Sequence, residues 1–175
     1  MDQNTANTSN TQVPMQNPVT NNNGEVRMYK ILVVDDEESA REMFGEILGD
    51  LSNKTDWEVS LAVDGIDALS KAEATKFDII LLDIMMPKKD GIQTLNEIKA
   101  DPVKYGNPRI LMLTNIGGDL AIEEALRRGA VGYRLKNDTE AAALIKTVEE
   151  EIIKLNSGEP DNSAQEALQR LQVNP

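Results

Sequence analysis

The sequence predicts an α/β domain, a doubly wound five-stranded parallel sheet with helices on both faces. Three observations carry that expectation. Five short apolar runs recur along the chain: Lys30–Val34, Trp57–Val63, Phe77–Ile84, Arg109–Thr114 and Val131–Lys136. The segments between them repeat apolar residues at helical spacing. Asp-Gly, Pro and Gly-Gly signals separate the two kinds of segment. Right-handed crossovers with one reversal of strand order then place helices on each side of a single sheet.

Residues 1–27 are rich in Asn and Thr and nearly lack large apolar side chains, so they read as a disordered tail. The run Lys30–Val34 is a buried strand that ends in four acids, Asp35-Asp36-Glu37-Glu38. A helix follows from Ser39 to about Leu48, with Phe44, Ile47, Leu48 and Leu51 inward. Acids suit the positive end of that helix, but this accounts for one or two of them and poorly for four. Trp57–Val63 alternates in part, which suits a strand near an edge. Asp64-Gly65 then opens a helix from Ile66 to about Thr75, buried through Ile66, Leu69 and Ala72.

Phe77–Ile84 is the most apolar strand and carries one acid near its end, Asp83, before Met86-Pro87 and Asp90-Gly91 turn the chain. The helix Ile92–Ala100 faces inward through Leu95 and Ile98 and stops at Asp101-Pro102. The fourth strand ends at Thr114, and Asn115–Gly118 is loosened by its glycine pair. A helix from Asp119 to Arg128 closes on Gly129. The fifth strand ends at Lys136, and Asp138-Thr139 caps a helix to about Leu155 with Leu144, Ile145, Val148, Ile152 and Leu155 on one stripe. Ser157–Pro160 breaks it. The remainder is expected to fray, with at most a short amphipathic turn through Ala164, Leu168 and Leu171. The domain therefore spans 28–156, followed by a flexible tail, 157–175.

A chain of 175 residues is long enough for one real core. Its net charge of −12 argues against nucleic acid or an anionic membrane as a main partner. It contains no Cys and no His, which excludes disulfides, thiol catalysis, a Ser-His-Asp triad and soft metal sites. A bound metal must be hard and oxygen-ligated: Mg²⁺, Mn²⁺ or Ca²⁺. With no membrane-length apolar run and no signal-peptide core, a cytoplasmic protein is expected.

Parallel strands end along one rim, and there stand Asp35, Asp36, Asp83, Thr114 and Lys136. Each has an ordinary reading by itself: helix-start acids, a strand or turn cap, a β-forming threonine, a surface lysine. Together they are harder to dismiss. Carboxylates this close repel unless a cation lies between them. A lysine and a hydroxyl nearby can hold the oxygens of an anion. A carboxylate nucleophile, a hard cation, a lysine and a hydroxyl make a site for phosphoryl transfer onto Asp.

Here the chain resembles the receiver domain of two-component response regulators. The matching motifs are Val33-Val34-Asp35-Asp36-Glu37, Leu82-Asp83-Ile84-Met85-Met86-Pro87 with Asp90-Gly91, Leu113-Thr114 and Gly132-Tyr133-Arg134-Leu135-Lys136. The likeness covers about Met28 to Leu155. It implies a flavodoxin-like sheet of order 2-1-3-4-5 with Asp83 as phosphoacceptor. It implies Mg²⁺, with Mn²⁺ as an alternative, held by Asp36, Asp83 and the backbone carbonyl of Met85, and by Asp35 through water. Lys136 and Thr114 would contact the phosphoryl oxygens, and Tyr133 would turn inward with Thr114 as the switch. Met85 and Ile116 would flank the path of the hydrolytic water. Since the chain has no His, the phosphoryl donor would be a sensor histidine kinase or a histidine phosphotransfer protein.

The resemblance further implies a stand-alone switch that catalyses only its own phosphorylation and dephosphorylation. Its output would be an unidentified downstream protein, docked on the helix from Asp119, the fifth strand and the helix after Asp138. Two positions depart from the family pattern: Asn137 where Pro usually follows the lysine, and Asn115 where a small residue usually follows the threonine. Other classes fit less well. A phosphatase with an aspartate nucleophile resembles Asp-x-Asp after the first strand, where this chain has Asp35-Asp36-Glu37. A flavodoxin needs a hydroxyl-rich phosphate loop there, where these acids would repel phosphate. A receiver fold that is never phosphorylated would not need the full set of site residues.

Overall fold

A computed structural model describes residues 27–49, 57–115, 119–138, 140–157 and 161–173. The N-terminal tail up to residue 26, Leu51 and Ile116 lie outside the described residues. Five strands form: β1 Tyr29–Val34, β2 Trp57–Ala62, β3 Ile79–Asp83, β4 Arg109–Thr114 and β5 Gly132–Leu135. All neighbours pair in parallel, in the order β2-β1-β3-β4-β5. β3 and β4 are buried along their whole length, which is why they read as unbroken apolar runs. β2 is an edge strand, as expected, but its burial does not alternate: Trp57 and Ala62 at its ends are buried and the residues between them are exposed or half-buried.

The helices are α1 Glu38–Gly49, α2 Gly65–Ala74, α3 Gly91–Ala100, α4 Pro102–Tyr105, α5 Asp119–Arg127, α6 Ala141–Ser157 and α7 Ser163–Val173. Strand alternation sorts the core into two layers. Leu32, Val34, Ile80, Leu82 and Met112 pack with α2, α3 and α5, through Leu69, Leu95 and Ile122. Ile31, Val33, Leu81 and Leu113 pack with α1 and α6, through Phe44, Leu48, Leu144 and Val148. Leu95 and Ile98 are fully buried, as their spacing requires. Truncating either to Ala would cost about 2–5 kcal/mol in lost transfer energy and cavity formation.

The connections are set by side-chain caps. Asp64 accepts from the backbone N–H groups of Ile66 and Asp67 and starts α2. Asp90 and Gln93 form a capping box at the start of α3. Asp101 accepts from the backbone N–H of Lys104, so the Asp-Pro pair that stops α3 also begins the single turn of α4.

Two expectations fail. Ile66, expected to be inward, is 53% exposed, because α2 buries the face that carries Gly65, Ala68, Leu69 and Ala72 and Ile66 lies off it. The segment expected to fray is instead a helix of 11 residues, α7, which packs against α5 and β5. Its entry is held by Arg109 at the start of β4, whose guanidinium donates to Asp161 at 2.8 and 3.1 Å and to the Ser163 hydroxyl at 2.9 Å. Arg109 also pairs with Glu151 on α6. Among the described residues no helix is long and apolar enough to cross a membrane.

Candidate functional site

Strand register assembles the site. Val34 pairs with Leu82, so Asp35 follows beside Asp83. Asp83 pairs with Leu113, which brings Thr114 one step beyond. Thr114 pairs with Leu135, so Lys136 emerges next to it in a short 3₁₀ turn. Asp35, Asp83, Thr114 and Lys136 are all buried, while Asp36 is exposed. The three carboxylates each offer an oxygen within 4.8 Å of the others.

The ammonium of Lys136 bridges two of them, 2.6 Å from Asp35 Oδ2 and 2.9 Å from Asp83 Oδ2. Asp83 Oδ1 accepts from the Met85 backbone N–H at 3.2 Å, and Asp35 Oδ1 from that of Glu37 at 3.0 Å. Burial pushes the Asp83 carboxyl above its ordinary value; Lys136 opposes this and the neighbouring Asp35 charge adds to it. Burial would lower Lys136, but its close contacts with the Asp35 and Asp83 carboxylates outweigh it and hold the group above its ordinary value. Asp35 Oδ2 is buried, and its close ion pair with Lys136 lacks the direction of a good hydrogen bond. An all-oxygen donor set with excess negative charge and an under-satisfied buried carboxylate oxygen fits a hard divalent cation such as Mg²⁺.

The loops around the site pack tightly. A Cβ on Gly91 would meet the Asp83 carbonyl oxygen at 2.1 Å, so only glycine lets α3 start directly beneath that residue. A Cβ on Gly65 would meet Thr94 Oγ1 at 2.1 Å, and the two Asp-Gly pairs thereby lock α2 against the loop after β3. Lys88, in that loop with φ of 66°, donates to the buried Asp64 carboxylate at 2.6 Å. Arg41 on α1 donates to the Asp35 carbonyl at 2.8 Å and holds the acidic loop. Sequence reasoning missed Lys88 and Arg41. Lys88 meets its partner across 24 residues, too far for a local pattern to reveal.

Tyr133 pairs with Met112, two residues in from the rim, and is partly buried against the α2–α3–α5 layer. Met85 is 65% exposed at the mouth. Asn115 is exposed, and the peptide after Lys136 is trans, there being no cis bond among the described residues.

Residues 31–149 match the response regulator receiver domain family, and the chain belongs to that family. It is similar to the chemotaxis protein CheY of Listeria monocytogenes, with 34% identity over 110 residues, 62% of this chain and 87% of the relative. A protein-glutamate methylesterase/protein-glutamine glutaminase of Geobacter sulfurreducens is 33% identical over 136 residues, covering 77% of this chain. The chain spans 36% of that relative and 52% of the transcriptional regulatory protein LnrK of Bacillus subtilis. Among solved structures, chemotaxis protein CheY4 of Vibrio cholerae superimposes with a TM-score of 0.63 at 33% identity, over 70% of this chain and 98% of that one. A two-component response regulator from Clostridium difficile, 24% identical with a TM-score of 0.66 over 74% of this chain and 99% of its own, shares the fold.

Proposed function

We propose that this chain is a Mg²⁺-dependent phosphorylation switch with Asp83 as its phosphoacceptor. The observation that carries the reading is the cluster of three carboxylates against one buried ammonium at the ends of β1, β3 and β5. A carboxylate oxygen of Asp83 attacks the phosphorus of a phosphohistidine on a kinase or phosphotransfer protein. The P–N bond breaks and its electron pair leaves with the imidazole. Asp36, Asp83 and the Met85 carbonyl would hold the cation, with Asp35 through water, and the cation would neutralise charge on the transferring group. Lys136 exchanges part of its ion pair with Asp83 for a phosphoryl oxygen. Thr114 donates to another, and Tyr133 follows it. The output is a protein contact on α5, β5 and α6.

Acetyl phosphate with Mg²⁺ should add one phosphoryl group to the wild type, read by intact-mass spectrometry. Asp83→Asn or a chelator should abolish it. Undiminished labelling of Asp83→Asn would overturn the assignment.

The lifetime of the phosphorylated state depends on Met85 and Ile116. Neither side chain can orient water, and orientation alone is worth roughly tenfold per well-placed contact. Slow self-dephosphorylation is expected. A Met85→Asn/Ile116→Glu variant should release phosphate about tenfold faster; equal decay would show that these side chains do not set the rate.

A further inference from the structure

Helix α7 begins well past the end of the family match at residue 149, yet it is folded onto the domain. It lies on α5 and β5, with Ala167, Leu168 and Leu171 against the same layer as Tyr133. Those three apolar residues are only partly buried. Beside them a cavity of about 340 Å³ runs between β5, α6 and α7, bordered by Tyr133, Thr147, Ala167 and Arg170. The helix start is held far more firmly: Asp161 and Ser163 are clamped by Arg109, and Lys154 donates to the Ser163 hydroxyl at 3.1 Å.

Such a helix is fastened at one end and loosely seated along the rest. At 11 residues it is too short to be stable in water without its seat. The apolar stripe of α7 is only partly buried, and such a segment opens before the fully buried strands and helices of the core. Its seat is also tied to the site. Lys136, which bridges Asp35 and Asp83, directly follows β5, and Tyr133 of β5 lines the cavity under α7. A pull on Lys136 or a turn of Tyr133 changes the surface that Ala167 and Arg170 face across the cavity.

We propose that α7 is a self-docked helix occupying the α5–β5 face, and that loading of Asp83 releases its apolar stripe while the Arg109 clamp keeps its start tethered. The proposal rests on the phosphoacceptor reading above. An amphipathic helix of another protein then reaches this face by displacing α7, so the face is closed until the switch is loaded. Linkage makes the coupling reciprocal: whatever unseats α7 must favour the loaded state by the same factor.

The chain has no Cys, so two introduced cysteines take spin labels cleanly. Glu46→Cys on α1 and Gln169→Cys on α7 are both exposed in the native chain. In the full-length protein, pulsed spin resonance should give one narrow distance. Mg²⁺ and beryllofluoride, a phosphoryl mimic, should add a broad second population. Leu168→Glu/Leu171→Glu, which alters only partly exposed side chains, should bind beryllofluoride about fivefold more tightly than wild type. A broad distance before any addition would show that α7 is not docked and overturn the proposal. Amide shifts around Asp83 with an unchanged distance and unchanged affinity of the Leu variant would overturn release and leave the phosphoacceptor reading standing. Beryllofluoride without effect on the Asp83 amides would overturn both.

Discussion

Strand β4 has a charge cluster at each end, and the two are built oppositely. At its start Arg109 and Lys154 face Glu151 and Asp161, with Ser163 filling a remaining bond. Each buried carboxylate there has a cationic partner, the Lys99 ammonium lies close enough to feel both Asp161 and Arg109, and burial is answered by hydrogen bonds. Burial works against ionising Asp161, but Arg109 and Ser163 outweigh it and bring its carboxyl down to about 2. At the other end, one ammonium faces three carboxylates, and burial leaves the Asp83 carboxyl above its ordinary value. A balanced buried cluster clamps chain segments together. An unbalanced one keeps a high-energy arrangement in place of the best-satisfied one, and what relieves it is a cation from outside.

The largest effect should come from breaking the balanced end. Arg109→Ala would leave Glu151 buried without its partner and is expected to cost about 3–5 kcal/mol, measured by urea unfolding. The loss should be the same with and without Mg²⁺. Arg109→Lys should recover only part of it, because an ammonium cannot reproduce the forked contact with Asp161. If Arg109→Ala unfolds like wild type, the cluster is not a clamp.

At the unbalanced end, Mg²⁺ should stabilise the wild type by roughly 2–3 kcal/mol at a hundredfold excess over its dissociation constant. Asp36→Ala should remove most of that gain. A midpoint that ignores Mg²⁺ would mean that the carboxylates are balanced in some other way.

The smallest effect concerns the metal-free protein. The folded carboxyl of Asp83 lies above its unfolded value, so the native state binds more protons than the unfolded state between those two values. Stability is therefore lost as pH rises through that interval. Asp83→Asn should raise the metal-free thermal midpoint by about 3 °C, corresponding to ~1 kcal/mol, and flatten that part of the pH profile. A lower midpoint for Asp83→Asn in chelator would show that Lys136 stabilises the charged carboxylate more than burial destabilises it.

Local pattern alone was enough to place the strands, most of the helices and the residues at the rim. Apolar periodicity and turn chemistry are local, and a parallel sheet sends all its strand ends one way. Asp35, Asp36, Asp83, Thr114 and Lys136 could thus be grouped before any coordinates, and the register of β1, β3, β4 and β5 carries them to neighbouring positions. The exposure of Ile66 was missed because the two buried alanines and the buried glycine of α2 set its inward face, and small residues mark a face less plainly than a large apolar one. The fate of the C-terminal segment was decided only in three dimensions. Its local pattern is that of a marginal helix, and nothing within it says that Arg109, 52 residues earlier in the chain, will hold Asp161. Short helices owe their stability to the surface they cover, and for α7 that surface is assembled from α5 and β5 only once the sheet has closed.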